Sequence, residues 1–214
     1  MSFRRQGLVV LVLAALSALS VLTCDVAVAR WVAGLPAGVH RTFDTCTHVL
    51  DTVSGKGLAD SAPGFVLLAL GLVAWLRPAW RPLARLLVVV ALSNLVSHLC
   101  TGVLKGAFGR LRPYEIGEAG WQDRFFAGGA SYPSGHATFY WGLLLPLAWG
   151  LPRWRALVLA PALYIAVARV FERDHFPGDV LAGIAVATLV SSVLIVVFER
   201  ACGLAPLLPR TRAS

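Results

Sequence analysis

Residues 180–198 read VLAGIAVATLVSSVLIVVF and contain no charged side chain. A helix crossing a bilayer needs roughly 20 apolar residues, within a range of about 17 to 25, and this run meets that requirement. Further uncharged runs occur at Leu8–Cys24, Ser61–Leu76, Leu86–Leu104, Ala137–Pro152 and Ala156–Ala168. Three of the six are long enough on their own. The three shorter ones must draw flanking polar residues into the membrane, which implies that their ends are buried in protein. The expected fold is therefore all-α: a polytopic membrane protein, one domain over residues 1–214, built as a six-transmembrane-helix bundle. The spans are expected at about 7–29, 61–77, 84–105, 136–152, 154–171 and 179–198. Composition agrees, with 57% hydrophobic residues, a mean hydropathy of +0.73 and 14% charged residues, against about 25% charged in soluble domains.

The net charge of +8 raises the possibility of nucleic-acid binding, but its distribution argues for topology instead. With both termini in the cytoplasm, the inner segments hold Arg4, Arg5, Arg77, Arg81, Arg85, Arg153, Arg155, Arg200, Arg210 and Arg212 against one acid, Glu199. The other side holds nine basic and ten acidic residues. Basic residues concentrate on the cytoplasmic side of membrane proteins, so no nucleic-acid partner is expected. Trp75, Trp80, Trp149 and Trp154 fall near the inner boundary, where aromatic anchors collect. The first segment also resembles a signal peptide ending in Ala27-Val28-Ala29, but its apolar stretch exceeds the usual ~7–15 residues, and retention as a helix is expected. Cys24, Cys46, Cys100 and Cys202 have no metal-site spacing. Isolated thiols are expected, with a Cys24–Cys46 bridge as the alternative. The C-terminal tail, ACGLAPLLPRTRAS, has no helical period and is read as loose.

The two long connections, Arg30–Asp60 and Arg112–Pro133, both lie on the outer side, and the chemistry-bearing residues gather there. Lys105 to Pro113 reads KGAFGRLRP. Lys105 and Arg112 are seven apart, so a continuing helix would set them on one face, with Pro113 ending the segment. Residues 133–136 read PSGH: Ser134 is a natural helix N-cap and Gly135 admits an anion close to the backbone. Ala168 to Asp179 reads ARVFERDHFPGD, placing Arg169 at the end of the fifth span and Asp179 at the start of the sixth. Lys105, Arg112 and Arg169 supply three cations; Ser134, Gly135 and the amides opening the fourth helix add donors. Together they describe a phosphate cradle, which arginine's paired donors suit. His136 and His175 in the same place allow nucleophilic attack on phosphorus and protonation of a departing oxygen. Asp179, four residues after His175, is placed to hold that imidazole in its nucleophilic tautomer.

These three stretches resemble the signature of the membrane branch of the type 2 phosphatidic acid phosphatase family, shared with vanadium haloperoxidases. K-x6-R-P is matched by Lys105, Arg112 and Pro113, and P-S-G-H by residues 133–136. S-R-x5-H-x3-D is matched by Arg169, His175 and Asp179, with Ala168 in place of the leading serine. The resemblance implies a mechanism without metal or other cofactor. His175 would attack the phosphate and form a phosphohistidine, with Asp179 orienting it. His136 would protonate the leaving group and then activate water. Lys105, Arg112, Arg169, Ser134 and Gly135 would hold the equatorial oxygens.

The expected protein is a metal-independent lipid phosphatase of a bacterial inner membrane, its site open at the outer, periplasmic boundary. Its partner is a membrane lipid carrying a phosphate monoester or pyrophosphate, and the family's substrates include phosphatidate, phosphatidylglycerol phosphate, isoprenyl pyrophosphates and lipid A. A lipid phosphotransferase and a non-catalytic lipid carrier are the alternatives; the oligomeric state stays open. Blander roles are expected elsewhere. Asn94 and His98 are read as interhelical hydrogen-bonding groups, and Asp25 as a water-exposed helix end. His40, Asp44, His48 and Asp51 are placed in a solvated loop, with a lid over the site as the alternative, and Arg110 and Arg173 are read as peripheral.

Overall fold

The computed structural model describes residues 3–118 and 120–207; Arg210, Arg212 and the end of the C-terminal tail lie outside the described residues. Among the described residues nine α-helices follow one another: α1 Phe3–Thr23, α2 Asp25–Ala33, α3 Ala37–Ser54, α4 Ala62–Trp75, α5 Arg81–Phe108, α6 Pro113–Glu118, α7 Gly135–Gly150, α8 Arg155–Phe171 and α9 Pro177–Cys202. No strand occurs among the described residues. Among the described residues three helical stretches are long and apolar enough to cross a membrane: Arg4–Thr23, Pro78–Gly117 and Pro177–Cys202. They hold all but Cys24 of the three longest uncharged runs of the sequence. The shorter helices α4, α7 and α8, of 14, 16 and 17 residues, have buried residues at their ends: α4 at Pro63, Gly64 and Ala74, α7 at Ala137, Thr138 and Gly150, α8 at Ala168 and Arg169.

α5, α7 and α9 pack against one another, with α1 on α9, α4 on α5 and α8 on α7; α3 lies on α8. Where lipid replaces water, helices gain little from hiding apolar groups and associate by close packing and interhelical hydrogen bonds. Glycine permits the closest approaches. A Cβ at Gly183 would fall 2.7 Å from the Ser134 carbonyl oxygen, and one at Gly150 would fall 2.6 Å from Leu86. Between α5 and α9, the Ser93 and Ser191 hydroxyls meet at 2.7 Å. Asn94 donates from Nδ2 to the Phe139 carbonyl at 3.2 Å, joining α5 to α7 as expected of it. Large apolar side chains such as Leu11, Val73, Leu99 and Leu157 face outward.

Two expectations need correction. α5 does not continue to Arg112: it ends at Phe108, where Gly109 adopts the left-handed conformation at φ 50°, favourable for glycine as a helix C-cap. Pro113 then opens α6 rather than ending α5, so Lys105 and Arg112 do not share a helix face. The segment after α1 is also no open loop. It folds into α2 and α3, and α3 is anchored on the bundle. His40 Nδ1 lies 2.6 Å from the Phe171 carbonyl oxygen, Phe43 stacks on Phe171 at 4.7 Å, and Thr47 donates a hydrogen bond to Glu172. The four cysteines are unpaired.

Candidate active site

The three signature stretches meet where α5 ends and α7 and α9 begin. Ser134 caps α7, its side chain accepting from the Ala137 amide, while its own amide donates to the Asp179 carbonyl at 2.9 Å. The turn of the second stretch is thereby tied to the start of the third. The Ser131 amide donates to the Arg110 carbonyl at 2.9 Å, joining the second stretch to the first. The Lys105 ammonium lies beside Gly135 at the helix start: a Cβ on Gly135 would stand 3.6 Å from Nζ, in ordinary contact. Arg112 and Arg169 converge on one carboxylate, Asp174, with Arg112 Nη1 at 3.5 Å and Arg169 Nη2 in direct contact. Arg169 also pairs with Glu172.

His175 is 2% exposed and its amide donates to the Arg169 carbonyl at 3.1 Å. Its Nδ1 stands 3.6 Å from Asp179 Oδ2, longer than a hydrogen bond, and has no other partner. Apo catalytic pairs are often long. Burial pushes the His175 imidazole down to about 4, although Asp179 opposes the shift. The ring is therefore neutral, with a lone pair to give, throughout the neutral range. The unfolded chain takes up this proton first, near the ordinary 6.5, so the associated stability is complete above about that pH and is lost as pH falls toward 4. Nitrogen-15 NMR of the histidine rings, with His175→Ala for assignment, should show His175 neutral from pH 8 to pH 5; a midpoint between 6 and 7 would contradict this.

Asp179 is fully buried and saturated with donors. Its Oδ2 accepts from Ser131 Oγ at 2.6 Å and from the Phe176 amide at 2.9 Å; its Oδ1 accepts from Arg110 Nη1 at 2.6 Å. Arg110, read from sequence as peripheral, is instead 0% exposed. Its other donors go to Asp123, Nε to Oδ1 at 3.0 Å and Nη2 to Oδ2 at 2.5 Å. Nη1 also lies 2.8 Å from Asp25 Oδ2. The guanidinium sits 3.9 Å from the Phe176 ring centroid and 4.8 Å from that of Phe125, distances suited to cation–π attraction. Burial opposes its charge, but Asp179, Asp123 and Asp25 outweigh burial and hold it protonated more firmly than usual. Asp25 is likewise no water-exposed helix end. It is 0% exposed and also accepts from Ser20 Oγ at 2.6 Å and the Gly178 amide at 2.9 Å.

His136, at the start of α7, is met from a segment read as solvated loop. Its Nε2 lies 2.8 Å from Asp51 Oδ2 of α3, and the Tyr140 hydroxyl donates to Asp51 Oδ1 at 2.9 Å. Burial raises the Asp51 carboxyl, but the hydrogen bond and charge of His136 outweigh it and hold Asp51 below its ordinary value. Arg173, half-buried, takes no part in these contacts. Every signature residue thus lies at this end of the bundle, in a setting of carboxylates that local spacing did not reveal. An acid inside a candidate membrane segment, as Asp25 is, was the one available signal, since such groups are functional candidates by default.

A family model described as the PAP2 superfamily matches residues 82–201. Two curated relatives, lipid A 1-phosphatases of Rhizobium johnstonii and Rhizobium etli, are each 35% identical over 125 residues, or 56% of this chain. The matched region is 49% and 52% of those proteins, so the chain spans about half the length of the curated relatives it matches. Among solved structures, the transmembrane PAP2-type phosphatidylglycerolphosphate phosphatase from Bacillus subtilis superposes with a TM-score of 0.59. The superposition covers 93% of this chain and 96% of that one at 20% identity, a likeness of fold alone.

Proposed function

Since the chain belongs to the PAP2 superfamily and is a multi-pass membrane protein, we propose that it hydrolyses a phosphate monoester or pyrophosphate of a membrane lipid, without a metal. In this reading the domain spans residues 1–214 and crosses an inner membrane six times, with both termini cytoplasmic and the site at the periplasmic boundary. The observation that carries the reading is the buried His175 next to a fully buried Asp179, at the bundle end where Lys105, Arg112 and Arg169 gather. A carrier needs cations but no such base.

His175 gives a nitrogen lone pair to phosphorus as the bond from phosphorus to the lipid oxygen breaks. His136 supplies the proton that the departing oxygen takes. Water then attacks the phosphohistidine, His136 takes back a proton, and inorganic phosphate leaves with the His175 imidazole restored. Lys105, Arg112 and Arg169, with the Ser134 hydroxyl and the Gly135 amide, hold the phosphoryl oxygens, where fixed donors and charges act most strongly out of water. Asp174 yields Arg112 and Arg169 to the substrate. The names of the two rhizobial relatives favour a glycolipid phosphate of lipid A type among possible substrates.

Phosphate release by the purified, detergent-solubilised protein tests this on lipid A 1-phosphate, phosphatidate, phosphatidylglycerol phosphate and an isoprenyl pyrophosphate. Release should continue in EDTA. Loss of release in EDTA, restored by a divalent cation, would overturn metal independence. A phosphorylated acceptor lipid in place of free phosphate would identify a phosphotransferase.

A further inference from the structure

α3 reaches over α8 and delivers one buried-side carboxylate to α7. Its contacts with α8 (His40 with the Phe171 carbonyl, Phe43 with Phe171) and with Glu172 through Thr47 fix its path. Its last turn is pinned where the Ser54 hydroxyl meets Tyr140 at 3.2 Å, and Gly55 ends the helix in the left-handed conformation at φ 78°. Between these anchors Asp51 uses both oxygens on α7, Oδ2 at 2.8 Å from His136 Nε2 and Oδ1 accepting from the Tyr140 hydroxyl at 2.9 Å. The Lys56 ammonium, which shares this corner, is engaged elsewhere, 2.6 Å from Asp60 Oδ1. A carboxylate held from behind by a tyrosine and presented to one ring nitrogen of a histidine fixes that ring's rotation and tautomer.

From this arrangement we propose that Asp51 is a positioning residue for the leaving-group acid: it binds His136 through Nε2 and leaves Nδ1 to give the proton. The inference rests on the phosphatase reading and on His136 as the proton donor. In the first step the His136 imidazolium carries a proton on each nitrogen. The Nε2 proton stays in the hydrogen bond to Asp51, while the Nδ1 proton passes to the lipid oxygen as the phosphorus–oxygen bond breaks. Asp51 keeps its negative charge throughout and stabilises the imidazolium before transfer. The site then contains two carboxylate–histidine pairs: Asp179 beside the nucleophile, four residues along the chain, and Asp51 beside the acid, from 85 residues away.

A residue serving proton donation matters only when the leaving oxygen needs a proton. General acid catalysis contributes typically about 10²–10⁴-fold, and the contribution shrinks as the leaving group becomes more acidic. The test compares wild type, Asp51→Asn and Tyr140→Phe on a lipid phosphate and on aryl phosphates of increasing leaving-group acidity, ending with 2,4-dinitrophenyl phosphate. Asp51→Asn should lower kcat/KM, which reads the steps up to phosphohistidine formation and not its hydrolysis, about 10²-fold on the lipid phosphate, with progressively less loss along the series and about the wild-type value on the dinitrophenyl ester. Tyr140→Phe, which leaves Asp51 in place, should show the same trend more weakly and keeps the test available if Asp51→Asn folds poorly. In a His136→Ala background, Asp51→Asn should cost nothing further. Equal loss on all substrates would overturn the proposal and make Asp51 a structural clamp. A lower KM with unchanged kcat would also overturn it, marking Asp51 as an anion to be displaced by substrate. If wild type releases no phosphate from any substrate, the phosphatase reading fails instead.

Discussion

Arg110→Met should leave little folded, active protein. The substitution strips the counter-charge from three carboxylates, two of them, Asp25 and Asp179, with no exposed side-chain surface and the third, Asp123, with 18%. Breaking a buried ion pair on one side typically costs about 3–5 kcal/mol because the remaining charge is stranded. Here several pairs share the lost partner, against a total stability of about 5–15 kcal/mol for ordinary domains. The expected result is a thermal unfolding midpoint in detergent lowered by well over 10 °C, with phosphate release lost as well. Arg110→Lys should recover only part, since one ammonium cannot reproduce the fork that engages Asp123 through two nitrogens. The triple variant Arg110→Met, Asp25→Asn, Asp123→Asn separates the two roles. It should regain much of the stability while activity stays low, because Asp179 has lost its Arg110 donor. An Arg110→Met protein that melts with wild type would refute this account of the network.

His175→Ala should do the opposite, silencing the site in a chain that still folds. Asp179 keeps its bonds from Arg110, Ser131 and the Phe176 amide, so the surrounding frame does not depend on the imidazole. Loss of a nucleophile or its partner base in a catalytic triad lowers kcat by about 10⁴-fold or more, and a comparable loss of phosphate release is expected. Wild type incubated with a phosphorus-labelled lipid should carry acid-labile, alkali-stable label that His175→Ala lacks. Substantial phosphate release by His175→Ala would remove this residue from the nucleophile's role.

Uncharged runs and signature spacings were legible because they are local properties of the chain. A run such as Val180–Phe198 declares its solvent by composition, and PSGH declares a helix start by its capping serine. Contacts across the chain were not legible. Asp25 meets Gly178 across 153 positions, and Asp51 meets His136 across 85. No periodicity within either segment encodes its partner. Arg110 was passed over for the same reason: an arginine at a membrane edge looks alike whether it snorkels to water or turns inward to three acids. The misplaced end of α5 has a different cause. Pro113 is a strong stop signal, but the left-handed Gly109 acts first, and nothing in KGAFGRLRP ranks the two. Nor did the local sequence weigh what a cut after Ala29 would take away. It would remove Asp25 and, with it, one of the carboxylates around Arg110.

Asp25 and Asp179 also meet the same Arg110 nitrogen from α2, directly after the first helix, and from the start of the last one. The ribosome makes Asp25 first, Arg110 midway and Asp179 only as the final helix emerges. A chain halted after α8 would have its cations and the PSGH turn but neither His175 nor Asp179. The proposed site therefore comes together only once α9 has been made, and a growing chain in the membrane passes through most of its synthesis without it.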